Sequence, residues 1–316
     1  MEKRICLIEA SEISRAAALI RAGELVAFPT ETVYGLGANA LDAQAVAKIY
    51  AAKGRPAESP LIVHVDSIEM ARVLAREWPA NAEVLAQRFW PGPLTLVLPK
   101  QPQVPDLVTA GLDTVGIRMP SNPIALALIR EAGVPIAAPS ANRFTELSPT
   151  TAQHVRESLG DRVAMVLDGG PATIGIESTV LSVAGGNALL LRPGMLTKAE
   201  IEAVIGPVTV SDASVVGAHP SPGMHQRHYS PRTRLVLVED GQLPSDGRGA
   251  YLWISKSSDA ACIVRMPDHP RAYAAVLYET LHQADAQGLE WIAVEKPPLA
   301  PEWAAIHDRL QRAAAE

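Results

Sequence analysis

Two hydrophobic periods take turns along this chain, one helical and one strand-like. Ile5–Ile8 reads as a first strand. Ile13, Ala16, Ala17 and Ile20 then recur at helical spacing behind Ser11, a capping residue, and Gly23 closes that helix. Leu25-Val26-Ala27-Phe28 is an apolar run ending at Pro29, the pattern of a buried strand. Asp42 predicts an N-cap for a helix reaching Lys53, with Val46, Ile49 and Tyr50 inward. Lys53 shares that inward face, and Gly54-Arg55-Pro56 breaks the helix. Leu61–Val65 predicts a buried strand that sets Ile62 and His64 on one face. Two helices fill residues 68–89, and Trp90-Pro91-Gly92-Pro93 is a turn. Leu94–Leu98 has strand composition, and Thr114–Met119 alternates, with Arg118 beside Gly116 on one face. A helix (Pro123–Ala132), a strand (Val134–Ala138), a helix (Thr151–Leu159), a strand (Val163–Leu167) and a hairpin (Ser178–Val183 with Ala188–Leu191) follow. Helices alternating with mostly non-consecutive strands predict an α/β fold with a mixed sheet.

The character changes near Gly206. Residues 207–232 are rich in Pro, Gly, Ser and His and lack periodicity, so they read as a linker. Within it, Ser221-Pro222-Gly223-Met224-His225-Gln226-Arg227-His228-Tyr229-Ser230-Pro231 crowds cations and an aromatic. Short strands at Leu235–Val238, Ala250–Ile254, Ala261–Val264 and Trp291–Val294, with helices at Ala272–Gln287 and Pro301–Ala315, predict a small α/β domain. The expected domains are therefore 1–206, a linker 207–232 and 233–316, as a length of 316 residues suggests for two cores.

Composition narrows the functional class. A net charge of −6 gives no general footprint for nucleic acid, which leaves only a local basic patch or a weak RNA contact. Cys6 and Cys262 lie far apart without metal or redox spacing, in keeping with a reducing cytosol. The apolar run at the start is too short for a signal peptide, and no window reaches membrane-span length, so a cytoplasmic protein without a membrane partner is expected.

The densest chemistry lies in Pro29-Thr30-Glu31-Thr32-Val33-Tyr34-Gly35-Leu36-Gly37, read as one wall of a substrate pocket. Its glycines are expected to keep backbone clear of the pocket while Thr30, Thr32 and Tyr34 present hydroxyls. Gly35-Leu36-Gly37-Ala38-Asn39-Ala40 also fits a relaxed dinucleotide fingerprint, with Glu58 near the acidic position. However, Pro29–Tyr34 separate the strand from the glycines, and no P-loop occurs. Lys53 and Arg55 at a helix end bind an anion or simply complement the helix dipole. Arg118 in mid-strand calls for an anionic partner, a carboxylate or phosphate. His64 is a core histidine or a ligand, and Ser140 and Asn142 follow a strand end, where α/β sheets bind ligands. Cations, hydroxyls and amides suit a phosphate- or carboxylate-bearing substrate better than hydrolysis.

Together these motifs resemble the YrdC-like family of threonylcarbamoyl-AMP synthases in its long, two-domain form. The resemblance runs through residues 29–37, Lys53-x-Arg55, Pro60–His64, Trp90–Thr95, Thr109–Thr114, Arg118-Met119-Pro120, Ala138–Asn142, Glu177-Ser178-Thr179 and Leu191–Gly194. It extends to the linker block, where His225-Gln226 stand in place of an expected lysine and aromatic. The resemblance implies a twisted open mixed sheet with a basic cleft and a small Rossmann-like C-terminal domain. It implies a nucleotidyltransferase that makes threonylcarbamoyl-AMP and pyrophosphate from ATP, L-threonine and bicarbonate or CO2, with Mg²⁺ accompanying ATP. The product would pass to the machinery that modifies tRNA adenosine. By family position, Lys53 and Arg55 are the catalytic cations. With Ser140 and Asn142 they hold the triphosphate; Thr114, Ser148, Arg192 and Tyr229 contact the nucleotide, Tyr229 from a lid. Thr30, Thr32, His64, Arg118 and Ser178 surround threonine. The alternative is a non-catalytic RNA-binding or ribosome-assembly module using the same basic cleft.

Overall fold

The computed structural model describes residues 9–211, 228–239 and 241–315. The expected first strand, Ile5–Ile8, and the linker segment that includes His225 and Gln226 lie outside the described residues. Two sheets organise the chain. The large one contains β1 (Val26–Phe28), β2 (Gly35–Asn39), β3 (Ile62–His64), β4 (Leu94–Pro99), β5 (Thr114–Arg118), β6 (Ile136–Ala137), β7 (Met165–Val166), β8 (Thr179–Ser182), β9 (Leu189–Arg192) and β10 (Thr209–Val210). Their spatial order is β10-β9-β8-β4-β5-β3-β6-β2-β1-β7, a mixed sheet in which β3 lies parallel to β5 and β4 parallel to β8. The second sheet holds β11 (Arg234–Val238), β12 (Gly249–Trp253), β13 (Cys262–Arg265) and β14 (Trp291–Glu295), all parallel, in the order β11-β14-β12-β13.

The helices follow their sequence signals closely. Asp42 caps Ala43–Lys53 by accepting from the Gln44 and Ala45 amides, and Gly54 ends it in the left-handed region. Asn122 caps Pro123–Ala132, and Thr151 caps Ala152–Leu159. The first helix, Ala10–Arg21, starts before its expected cap: Glu9 holds the N-cap position, and Ser11 Oγ donates to the Glu9 carboxylate. A helix at Lys198–Ile205, held by a capping box between Thr197 and Glu200, went unread because its apolar face is short. β10 occupies the start of the expected linker and pairs with β9.

The glycine-rich stretch is the main correction. Gly35 and Gly37 lie inside β2, which pairs with β1 so that Val26 faces Gly37 and Phe28 faces Gly35. A Cβ on Gly37 would sit 2.7 Å from Phe28 Cε1 and 2.8 Å from Ile136 Cγ2. The glycine therefore makes room for an aromatic ring, and the strand replaces the strand-to-helix turn that a dinucleotide site needs.

Candidate active site

The large sheet brings distant residues to one end. The register pairs His64 of β3 with Arg118 of β5, Leu94 at the start of β4 with Thr179, and Val180 of β8 with Arg192 of β9. Around these strand ends lies a cavity of about 50 Å³. Thr30, Thr32, Arg55, His64, Arg118, Ser140, Ser178, Arg192 and Tyr229 line it, so nine of the thirteen expected site residues meet there. Val33, Gly35, Ile62, Glu177 and His228 join them.

The other four stand elsewhere. Thr114 begins β5 opposite Pro99, whereas Arg118 ends it; at roughly 3.3 Å per residue the two are about 13 Å apart. Lys53 is buried, and its ammonium is turned onto protein carbonyls, donating to Ser140 O at 2.6 Å and also to Asn142 O. Burial, with Arg55 nearby, holds the Lys53 amine well below its ordinary pKa. Asn142 donates to the carbonyls of Arg143 and Glu146, and Ser148 Oγ donates to Glu177 at 2.5 Å. These side chains brace the cavity wall from behind. The Tyr34 hydroxyl also turns away from the cavity, donating to Gly170 O at 2.7 Å.

The loop between β1 and β2 is held by its own threonines. Thr30 Oγ1 donates to Val33 O at 2.6 Å and accepts from the amides of Thr32 and Val33. Thr32 Oγ1 in turn accepts from Arg118 Nη1 at 2.9 Å. The guanidinium's Nη2 lies 2.7 Å from Glu31 Oε1, an ion pair whose alignment misses hydrogen-bond geometry, so both atoms keep unused capacity. Arg192 donates from Nε and Nη2 to Ser178 O at 3.1 and 3.0 Å, and Ser178 Oγ lies 2.8 Å from Thr95 Oγ1.

Among the lining side chains, Arg55 Nε, His64 Nδ1 and Tyr229 Oη are buried without a hydrogen-bond partner among the described residues. A buried polar group left unpaired is costly, and its presence at a cavity marks a place for a ligand. Desolvation lowers Arg55 to about 10, still charged at neutral pH. His64 is pulled down to about 3 by burial and the Arg118 charge, so its ring is neutral. Three guanidiniums therefore face one small space beside a neutral imidazole and several hydroxyls. Tyr229, at φ +60°, and His228 close one side of it.

Two family models divide the chain between them. Residues 18–194 match the model described as "Telomere recombination", and residues 196–315 match "Threonylcarbamoyl-AMP synthase, C-terminal domain". A threonylcarbamoyl-AMP synthase of Pyrococcus abyssi is 44% identical, covering 97% of this chain and 95% of its own. One from Bacillus subtilis is 46% identical, over 96% and 93%. The chain belongs to the threonylcarbamoyl-AMP synthase family. A crystal structure of P. abyssi Sua5 complexed with L-threonine superposes with a TM-score of 0.91 at 44% identity, covering 97% of this chain and 95% of that one. Escherichia coli YciO shares the fold over 59% of this chain and 90% of its own, with a TM-score of 0.52 at 23% identity. As a member of the synthase family, the chain has the expected mixed sheet and a separate small parallel sheet. Glu177 is the lining residue that sequence reasoning passed over. The motif Glu177-Ser178-Thr179 flagged its position, but nothing flagged its partners in the second domain.

Proposed function

We propose that this chain is an L-threonylcarbamoyladenylate synthase, a nucleotidyltransferase acting on ATP, L-threonine and bicarbonate or CO2. The observation that carries the reading is the set of three buried guanidiniums around one cavity, in a chain alike to synthases over nearly its full length. That likeness favours the enzyme over an RNA-binding or ribosome-assembly module.

The reaction needs little covalent help from the protein. The amine of threonine adds to CO2, forming an N–C bond and a carbamate. A carbamate oxygen then attacks the α-phosphorus, a P–O bond to the β-phosphate breaks, and pyrophosphate leaves. Apart from CO2 the reacting species are anionic, so positioning and charge neutralisation supply most of the acceleration. Arg118 takes the threonine carboxylate, using the Nη2 edge that pairs imperfectly with Glu31. Arg55 and Arg192 face the triphosphate, and the free Nε of Arg55 adds a donor. Lys53 acts from behind the wall by fixing the Ser140 and Asn142 carbonyls. His64 orients threonine through the unpartnered Nδ1. With its pKa near 3 it does not retain a proton from the threonine ammonium, which passes instead to solvent or buffer.

Mg²⁺ enters with ATP as part of the substrate. Among the described residues no three His, Cys, Asp or Glu side chains gather to hold a metal, and Glu177 is already engaged by other side chains, so triphosphate oxygens carry the ion. A cavity of about 50 Å³ is well short of the roughly 300 Å³ at the lower end for ligand pockets, so ATP entry requires Tyr229 and His228 to shift outward, as a lid does. The adduct feeds the machinery that transfers threonylcarbamoyl to tRNA. Among the described residues no helix is long and apolar enough to cross a membrane. The test is pyrophosphate release from ATP: the reading requires dependence on both threonine and bicarbonate, and release indifferent to threonine would overturn it.

A further inference from the structure

The second domain reaches into the wall of the first domain's cavity. Arg309, on the helix Ala304–Ala313, is 1% exposed, and its Nε donates to Glu177 Oε2 at 2.7 Å. Tyr278, on the helix Pro270–Asp285, donates to the same carboxylate at 3.2 Å. From the first domain, the Ser148 hydroxyl donates to it at 2.5 Å. The Arg309 guanidinium carbon also lies 5.2 Å from the centre of the Tyr229 ring, which sits 6.0 Å from that of Tyr278. Asp308 holds the far side of the guanidinium at 2.6 Å.

The backbone is fitted to this contact. Gly175, at φ +83°, approaches the helix Pro270–Asp285 so closely that a Cβ would lie 2.3 Å from Ala274 O. Val33, Ile176 and Tyr229, all at or beside the cavity, belong to the hydrophobic core of the second domain. The cavity loops and the second sheet thus form one packed unit.

Glu177 lines a cavity whose proposed substrates are anions. A buried carboxylate there repels them unless a cation neutralises it, and the pocket cation that also acts on it is Arg192. We infer that Arg309 is a positioning residue that sets the charge of the active-site wall, neutralising Glu177 and supporting Tyr229 so that the wall does not repel an anionic substrate. The inference rests on the proposed reaction for the identity of the anions, and on the geometry alone for the arrangement.

The test uses the full chain and two probes, a non-hydrolysable ATP analogue and inorganic tripolyphosphate, titrated by calorimetry. Arg309→Met leaves Glu177 without its main cation and weakens both affinities about 10- to 100-fold, as expected for one uncompensated charge at partly screened distance. Adding Glu177→Gln to Arg309→Met restores both affinities to within about fivefold of the parent, although the domain contact has then lost two groups. A residue that only joins the domains gives another pattern: the folded Arg309→Met protein keeps parental affinity, or the double variant binds as weakly as the single one. Either result overturns the inference. Should Arg309→Met fail to fold, Arg309→Gln, with and without Glu177→Gln, carries the same comparison, since glutamine removes the charge while keeping hydrogen-bond donors. If the parent binds both probes with this pattern yet releases no threonine-dependent pyrophosphate, the proposed reaction fails and the charge relation stands.

Discussion

Replacing Arg118 by alanine removes the proposed carboxylate clamp, and the structure fixes how large the effect is. Arg118 is 4% exposed and spends Nη1 on Thr32 Oγ1 and Nε on Gly92 O. Its Nη2 edge, 2.7 Å from Glu31 but poorly aligned, is what remains for substrate. A charge-assisted hydrogen bond contributes about 1.5–3 kcal/mol, so a two-point clamp is worth about 3–6 kcal/mol before competition from Glu31. That competition favours the lower figure, about 3 kcal/mol, or about 10²-fold in apparent threonine affinity. The assay is the initial rate of pyrophosphate release against threonine concentration, at saturating ATP and bicarbonate. Arg118→Ala should raise the threonine KM about 10²-fold while the ATP KM stays within about threefold. Because the substitution strands Glu31, the Glu31→Gln/Arg118→Ala pair is run beside it. Its threonine KM should also be high, since removing the stranded charge does not rebuild the clamp. An unchanged threonine KM in either variant refutes the reasoning.

Other expectations follow from the same geometry. Gly37→Ala places a methyl 2.7 Å from Phe28 and 2.8 Å from Ile136, an overpacking that should cost about 1–3 kcal/mol in a urea titration without altering substrate KM values. Lys53→Ala frees the carbonyls of Ser140 and Asn142 and should lower the rate of pyrophosphate release by loosening the cavity wall that presents Ser140; a full-rate variant removes Lys53 from the mechanism. His64 should make stability fall with acid. Its folded pKa is about 3 against 6.5 unfolded, so between those values the unfolded chain binds the extra proton and stability rises with pH. At pH 5 the penalty is about 2 kcal/mol relative to pH 7, and His64→Asn should reduce the difference in unfolding free energy between the two pH values, read from urea titrations, by about that amount.

Much of this was legible in the residues. Asp42 announced its helix because a cap is a local hydrogen bond between near neighbours. Arg118 could be assigned to a ligand because a guanidinium in mid-strand needs an anion somewhere. The glycines of β2 were expected to keep backbone clear of a pocket; Gly35 does line the cavity, while Gly37 instead admits Phe28 from the neighbouring strand, a contact that spacing does not display. Thr114 and Arg118 share a motif but stand at opposite ends of one strand, and only the register separates them. Lys53 lies on the inward face its spacing predicted, but that its ammonium and the Asn142 amide turn onto backbone carbonyls is a matter of side-chain direction that spacing does not encode. Arg309 gave no signal at all. On an amphipathic terminal helix, next to Asp308, it reads as a solvated charge, and its burial follows from a contact with Glu177 more than a hundred positions away.

The central claim is that the cavity joins threonine, CO2 and the adenylate of ATP into one product. Radiolabelled bicarbonate tests it most directly, with nucleotides separated after a brief incubation with the full chain. The account predicts label in an acid-labile adenylate, formed only when L-threonine and ATP are both present, with one pyrophosphate released for each label incorporated. Pyrophosphate released at the same rate without threonine, or an adenylate carrying no label, would contradict it.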